Sequence, residues 1–273
     1  MLQSGENPTT EPVITHRMRR PPARQEPTPE PVSSPPGPLS AIEQRGTKVR
    51  ARRRQQLISP GGAPEAVFVV RSGLLVLQTL PPDQPRQLLT LLYPQDIFAP
   101  SFAPALPGAV LSAVSPSELW RLPSRTFEAL LAQEPALTQH LYQRLADQHA
   151  RCVLHSAIIG GLNGEERVAS FLIELALRLG VAGAAGVAFE LPLSRTEIAD
   201  YLALNADTLS RIMSRLKGRG LVARTGRDRA LVADWDGLCA MSPLAGALAA
   251  AHGGVVPAKR EKPARTGANP ARA

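Results

Sequence analysis

The chain has 273 residues, 44% of them hydrophobic, and a formal charge of +8 from 31 Lys and Arg against 23 Asp and Glu. That is enough chain for two domains with proper cores. The basic excess points to an anionic partner without separating nucleic acid from a membrane surface.

Residues 1–40 are dense in Pro, Thr, Ser and Glu, end on Pro35-Pro36-Gly37-Pro38, and hold no apolar run that could serve as a signal peptide or a span. With so little to bury, this stretch is read as a disordered arm. Its cations Arg17, Arg19, Arg20 and Arg24 are matched by Glu6, Glu11, Glu26 and Glu30, so it adds no net charge. A first basic cluster follows at Arg50, Arg52, Arg53 and Arg54. From Glu65 to Leu92 the pattern is that of strands: Ala66-Val67-Phe68-Val69-Val70, Gly73-Leu74-Leu75-Val76-Leu77 and Gln87-Leu88-Leu89-Thr90-Leu91-Leu92, separated by turns. Ala109 to Val114 and Leu119 to Leu122 supply two more, which together predict a small barrel.

A long helical pattern runs from Ser124, placed as its cap, to Ile159, with a break at Pro135 and a main helix from about Ala136. Leu141 and Leu145 lie on its apolar stripe, and Leu145, Cys152 and Ile159 are spaced by seven. Such a seam, buried against its own copy, is what a parallel coiled-coil dimer needs, so Leu141, Leu145, Cys152 and Ile159 are the candidate dimer interface. The alternative is that the stripe packs on the barrel. Gly160, Gly161, Asn163 and Gly164 then form a candidate hinge, with Asn163 and Glu166 opening the next helix as a capping box. Val181 to Val187 is read as a small-residue loop and Ala188 to Leu193 as a strand.

The most informative stretch is Ser194 to Gly220. Ser194 and Glu197 form a capping box that starts a short helix carrying Ile198, Ala199 and Leu202 on one face. Asn205 caps a second helix whose buried stripe is Leu209, Ile212, Met213 and Leu216. The opposite face carries Asp207, Thr208, Ser210, Arg211, Arg215 and Lys217, an arrangement suited to a recognition helix in a major groove. Leu221 to Val232 then reads as strand, turn, strand, a basic wing whose Arg227 and Arg229 are placed to touch phosphate. Asp236 to Ala250 is a closing helix, and 257–273 a basic disordered tail.

The run LPLSRTEIADYLALNADTLSRIMSRLKGRGLVAR resembles the winged helix-turn-helix of the CRP/FNR superfamily of transcription regulators, and the order of the preceding segments agrees from about Ala41 to Ala240. The resemblance implies an α+β architecture: a jelly-roll, cyclic-nucleotide-binding-like sensor domain over 41–123, a dimerisation helix over 124–160, a winged helix-turn-helix over 161–240, and a short helix with a basic tail over 241–273. It implies base reading by Asp207, Ser210 and Arg211, phosphate contacts by Arg195, Thr196, Thr208, Arg227 and Arg229, and half-sites similar to TTGAT on the FNR and FixK side. Asp207 is one methylene shorter than the Glu of the family pattern, and Ala203 stands where the family often has Gly. The partners implied are double-stranded DNA, a second copy of the chain and RNA polymerase, in the cytoplasm, with no membrane.

The arginines at 50–54 fall on an early strand and turn of the sensor domain and read as a solvated face, so neutralising them is expected to leave operator affinity and its salt dependence unchanged. The family's Phe-Gly-Glu and phosphate-binding Arg have no counterpart here: residues 97–117 contain no charged side chain, which argues against cyclic AMP because a buried phosphate would go uncompensated. The effector is otherwise unknown. Two cysteines, Cys152 and Cys239, are too few and misplaced for an oxygen-sensing iron–sulfur cluster. No cofactor is expected: His140, His149 and His155 share one helix, where solvated or interface histidines are commoner than axial ligands, and a haem-based sensor of carbon monoxide or nitric oxide is kept as the alternative. No nucleophile, base and carboxylate cluster together and no metal-ligand set is spaced for binding, so neither catalytic residues nor a metal site is expected.

Overall fold

The computed structural model describes residues 37, 39–58, 65–80, 86–99, 108–226 and 228–253. After a one-and-a-half-turn helix, α1 (Ser40–Arg45), the chain forms β1 (Thr47–Ala51), β2 (Gln56–Ile58), β3 (Ala66–Ser72), β4 (Leu75–Thr79), β5 (Gln87–Leu92), β6 (Ile97–Phe98), β7 (Ala109–Ala113) and β8 (Ser117–Pro123). They make two antiparallel sheets, ordered β1-β8-β3-β6 and β2-β7-β4-β5. Between the sheets lie Ala66, Phe68, Val70, Leu75, Leu77, Leu111 and Leu119. The expected jelly roll is present as two facing sheets, a barrel left unclosed among the described residues.

The apolar runs are continuous because both faces of each sheet are covered. On the first sheet the alternate residues Val67 and Val69 lie under α1, α2 (Ser124–Gln133) and α3 (Pro135–Gly161), against Ile42, Phe127, Leu130 and Leu137. Leu141 belongs to this cover and is 4% exposed, so it is not part of a dimer seam as the heptad spacing suggested: the barrel has taken that side chain. The helix break falls where expected, with Pro135 at the first turn of α3, a position that needs no amide hydrogen. Ser124 is the first residue of α2 rather than its cap, and makes no capping bond.

The second half comprises α4 (Gly164–Leu179), β9 (Val181–Gly183), β10 (Gly186–Glu190), α5 (Arg195–Tyr201), α6 (Ala206–Gly218), β11 (Val222–Arg224), β12 (Arg229–Val232), α7 (Trp235–Cys239) and α8 (Ala245–His252), with a sheet ordered β11-β12-β10-β9. The stretch read as a small-residue loop contains β9, which pairs with β10. The closing helix is divided into α7 and α8, and α8 packs on α3 and α4 with Leu248 fully buried; it belongs to the fold rather than to a tail. Residues 1–36 and the basic tail from 254 onward lie outside the described residues.

One hydrophobic core is shared by the two halves. The outer face of the second sheet contributes Leu74, Val76, Leu88, Leu91 and, just beyond β5, Tyr93, which join Phe171, Leu175, Ile198, Tyr201 and Leu209 in a single cluster. Among the described residues no helix is long and apolar enough to cross a membrane.

Candidate nucleic-acid interface

Local chemistry fixes both helices of the turn motif. Ser194 accepts from the amide of Glu197 at 3.3 Å, and the Glu197 carboxylate accepts from the Ser194 amide at 2.7 Å, the reciprocal capping box read from sequence. Asn205 caps α6 by accepting from the Thr208 amide at 2.6 Å. Between them Ala203 has φ +50°, a left-handed conformation that glycine would adopt without strain. Arg167 of α4 holds this turn by donating to the carbonyls of Leu202 and Ala203.

On α6, Leu209, Ile212 and Leu216 are buried, with Met213 packed beside them. Asp207 and Arg211 are exposed and Ser210 is half-buried; their i, i+3, i+4 spacing places all three on one face near the helix start. Arg195 and Thr196 are exposed at the start of α5, and Thr208 is half-buried. Arg229 is exposed on β12, while Arg227 lies outside the described residues. The wing is fixed at its base: the Thr225 amide donates to the Arg229 carbonyl and the Leu191 amide to that of Asp228. Between α6 and the wing runs a cleft of about 450 Å³, rimmed by Ser194, Arg195, Ser210, Lys217, Arg224 and Asp228. Three cations against one carboxylate give this rim a positive bias. Arg215, grouped with the exposed cations of α6 in the sequence, is engaged by Glu165 at 2.7 Å and is withdrawn toward α4.

Sequence reasoning missed the polar junction between the barrel and this motif. Glu174, within the buried run 168–177 of α4, accepts from the Tyr93 hydroxyl at 2.7 Å and faces the Tyr201 hydroxyl at 3.5 Å. Burial pushes its carboxyl up to about 7. Asp96, also buried, pairs with Arg151 of α3 and accepts from the Tyr93 amide, while Arg178 lies over the Tyr93 ring at 4.8 Å and donates to the Pro94 carbonyl. His155 of α3 stacks on Tyr201 at 4.0 Å between ring centroids, and desolvation lowers its imidazole to about 4. Two surface contacts add to this: Arg86 pairs with Asp200 of α5, and Arg53 donates to the Pro192 carbonyl at 2.6 Å. A lone carboxylate inside the apolar run FLIELAL was the available signal for Glu174.

The remaining candidates redistribute. Leu145 is half-buried, Cys152 is exposed with Sγ 3.6 Å from Thr90 Oγ1, and Ile159 packs partly on the shared core. The large exposed apolar groups of α3 are instead Tyr142 (75%) and Val153 (55%). Gly160 and Gly161 are the last residues of α3, so the helix runs through the expected hinge and the chain turns only at Leu162 and Asn163. Gly164 serves close packing: a Cβ there would stand 3.2 Å from Ile212 Cδ1. Asn163 caps α4 with Glu166 as read from sequence.

A jelly-roll sandwich packed on a winged helix-turn-helix defines a sensor-like domain joined to a DNA-binding head. Residues 48–134 match the family described as cyclic nucleotide-binding domain, and residues 166–241 that described as Crp-like helix-turn-helix domain. The chain is similar to the nitrogen fixation regulation protein FixK of Azorhizobium caulinodans, 29% identical over 72% of this chain and 79% of the relative. It is also similar to the transcriptional activator protein FnrA of Stutzerimonas stutzeri, 26% identical over 75% and 83%. Of solved structures, FixK2 from Bradyrhizobium japonicum superposes with a TM-score of 0.63 at 25% identity, covering 72% of this chain and 97% of that one. The chain belongs to the CRP/FNR superfamily of transcription regulators. It is a DNA-binding regulator of the FNR/FixK type and not an enzyme.

Proposed function

We propose that the protein acts in the cytoplasm as a homodimer that reads a palindromic operator and contacts RNA polymerase through the surface of its barrel. Arg211 grips a guanine, Ser210 a neighbouring base edge, and Asp207 accepts from the cytosine opposite, while Arg195, Thr196, Thr208, Arg227 and Arg229 hold phosphates. The observation that carries this reading is that Asp207, Ser210 and Arg211 share one face at the start of α6, with Asp207 and Arg211 exposed and Ser210 half-buried between them, set beside a wing with a cationic rim. The Ser-Arg pair resembles the FNR and FixK side of the family, and that resemblance implies half-sites similar to TTGAT. Twofold pairing runs along the outer face of α3, where Tyr142, Ala146, His149, Val153, Ser156 and Gly160 are all exposed and spaced 4, 3, 4, 3, 4. This seam takes the place of one through Leu141. The effector is not cyclic AMP, since residues 97–117 hold no cation for its phosphate.

Selection of bound sites from random duplexes tests the proposal. A palindromic consensus is expected, and Arg211→Ala is expected to lose discrimination at one G·C pair, at a cost of about 1–3 kcal/mol. Equal binding to every duplex would refute sequence reading.

A further inference from the structure

The turn between β1 and β2 is exposed, as a solvated face would be, but it is held in one conformation. It is pinned by backbone bonds: the Arg54 amide donates to the Ala113 carbonyl at 2.7 Å, the Gln55 amide to the Arg52 carbonyl at 2.9 Å, and the Ala113 amide to the Gln55 carbonyl at 3.0 Å. The Gln55 side chain accepts from the Arg52 amide at 2.9 Å. Within this frame Arg54 has φ +67°, a left-handed conformation that glycine would adopt without strain. A rigid turn therefore presents an arginine at the position where the backbone least favours one.

Its neighbours place the turn against the segment that leads into α5. Arg53 donates to the Pro192 carbonyl, and Pro192 is three residues before Arg195, the exposed cation at the start of α5. Arg86 pairs with Asp200 on α5, so the barrel meets both the segment leading into this helix and the helix itself. Arg52 and Arg54 flank the tethered Arg53, are both exposed, and have no acidic partner among the described residues; Arg50, by contrast, is taken by Glu118. Two uncompensated guanidinium groups thus adjoin the segment whose Arg195 and Thr196 are assigned to phosphate. Cations so placed fit a polyanion running past the helix-turn-helix toward the barrel.

We propose that the β1–β2 turn is a second phosphate-binding surface, by which Arg52 and Arg54 of the barrel grip duplex DNA flanking the operator core. This rests on the DNA-reading function above and extends the footprint beyond the winged helix. The contacts are sequence-independent, so they add affinity and salt dependence but no base preference.

The test uses the full chain and its selected operator in two duplexes, one ending at the core and one carrying about a helical turn of flanking sequence on each side. The wild type is expected to bind the longer duplex more tightly and with a steeper dependence on salt. Arg52→Gln with Arg54→Gln is expected to remove that gain, lowering the log–log salt slope by about 0.9 for each phosphate no longer neutralised. The same variant should bind the core duplex as the wild type does, which also shows that it folds. Arg52→Lys with Arg54→Lys should restore the slope, since a point charge suffices for phosphate. An unchanged slope on the long duplex, or equal loss on both duplexes, overturns the proposal. So does loss of transcription activation with unaltered DNA binding, which would assign the turn to a protein contact. Failure of the wild type to select any site would instead refute the underlying function.

Discussion

At the scale of single residues, base reading and the buried junction depend on different physics. The base contact proposed for Arg211 requires its exposure, and its value lies in geometry that only a partner satisfies. Glu174 acts by being buried, and its carboxyl is pushed up to about 7, above the ordinary 4.5. The folded state therefore holds more protons than the unfolded chain between those values, and this group's stabilising contribution is full below about 4.5 and lost as pH rises through about 7. His155 and His252, lowered by burial to about 4 and about 3 from 6.5, act in the opposite sense, adding stability as pH climbs from their folded values to 6.5. Comparing variants separates these contributions. Glu174→Gln keeps an acceptor for Tyr93 without a titrating charge, so it is expected to be more stable than the wild type at about pH 8, by up to about 3 kcal/mol. The difference should vanish by about pH 4.5. Denaturant melts across pH check this, and a wild type whose advantage grew with pH would contradict the assignment.

At the scale of elements, the turn between α5 and α6 stores a small strain. Ala203 at φ +50° sits in a conformation costing an L-residue about 1 kcal/mol. Ala203→Gly is therefore expected to be neutral or to stabilise by up to about 1 kcal/mol, read as a rise in melting temperature, with sequence selection unchanged. The helix α3 presents two distinct apolar faces. Tyr142→Glu with Val153→Glu strikes the exposed face and is expected to shift the protein to monomer in light scattering without loss of fold. Leu141→Ala strikes the buried face and should instead cost about 2–5 kcal/mol of stability while the folded protein keeps its assembly state. The reverse pattern would return the seam to Leu141.

At the scale of the molecule, the barrel and the winged helix share a core, with Tyr93, Leu88 and Leu91 from one side packed among Phe171, Ile198 and Tyr201 from the other. Hydrophobic clusters spanning a junction couple the stability of the parts. Calorimetry is expected to show one cooperative unfolding transition rather than two, and resolved barrel and winged-helix transitions would refute a continuous core. Any signal received by the barrel would reach α5 through Glu174, Arg86 and His155, rather than only through the end of α3.

The caps at Ser194, Asn163 and Asn205, the break before Pro135, the buried stripe of α6 and the strand runs of the barrel were all legible in the sequence. Each is a local event, decided by side chains within a few residues of the backbone groups they satisfy or by the period of apolar positions. What partners each face meets is not local. Leu141 and Val153 are both apolar residues of one helix, and only the placement of the barrel decides that the first is buried and the second exposed. The same holds for Arg53 and Pro192, Tyr93 and Glu174, and Gly164 and Ile212, pairs widely separated in the chain. Periodicity says how many faces an element has, whereas packing against the rest of the molecule decides which of them stays open to DNA or to a second copy.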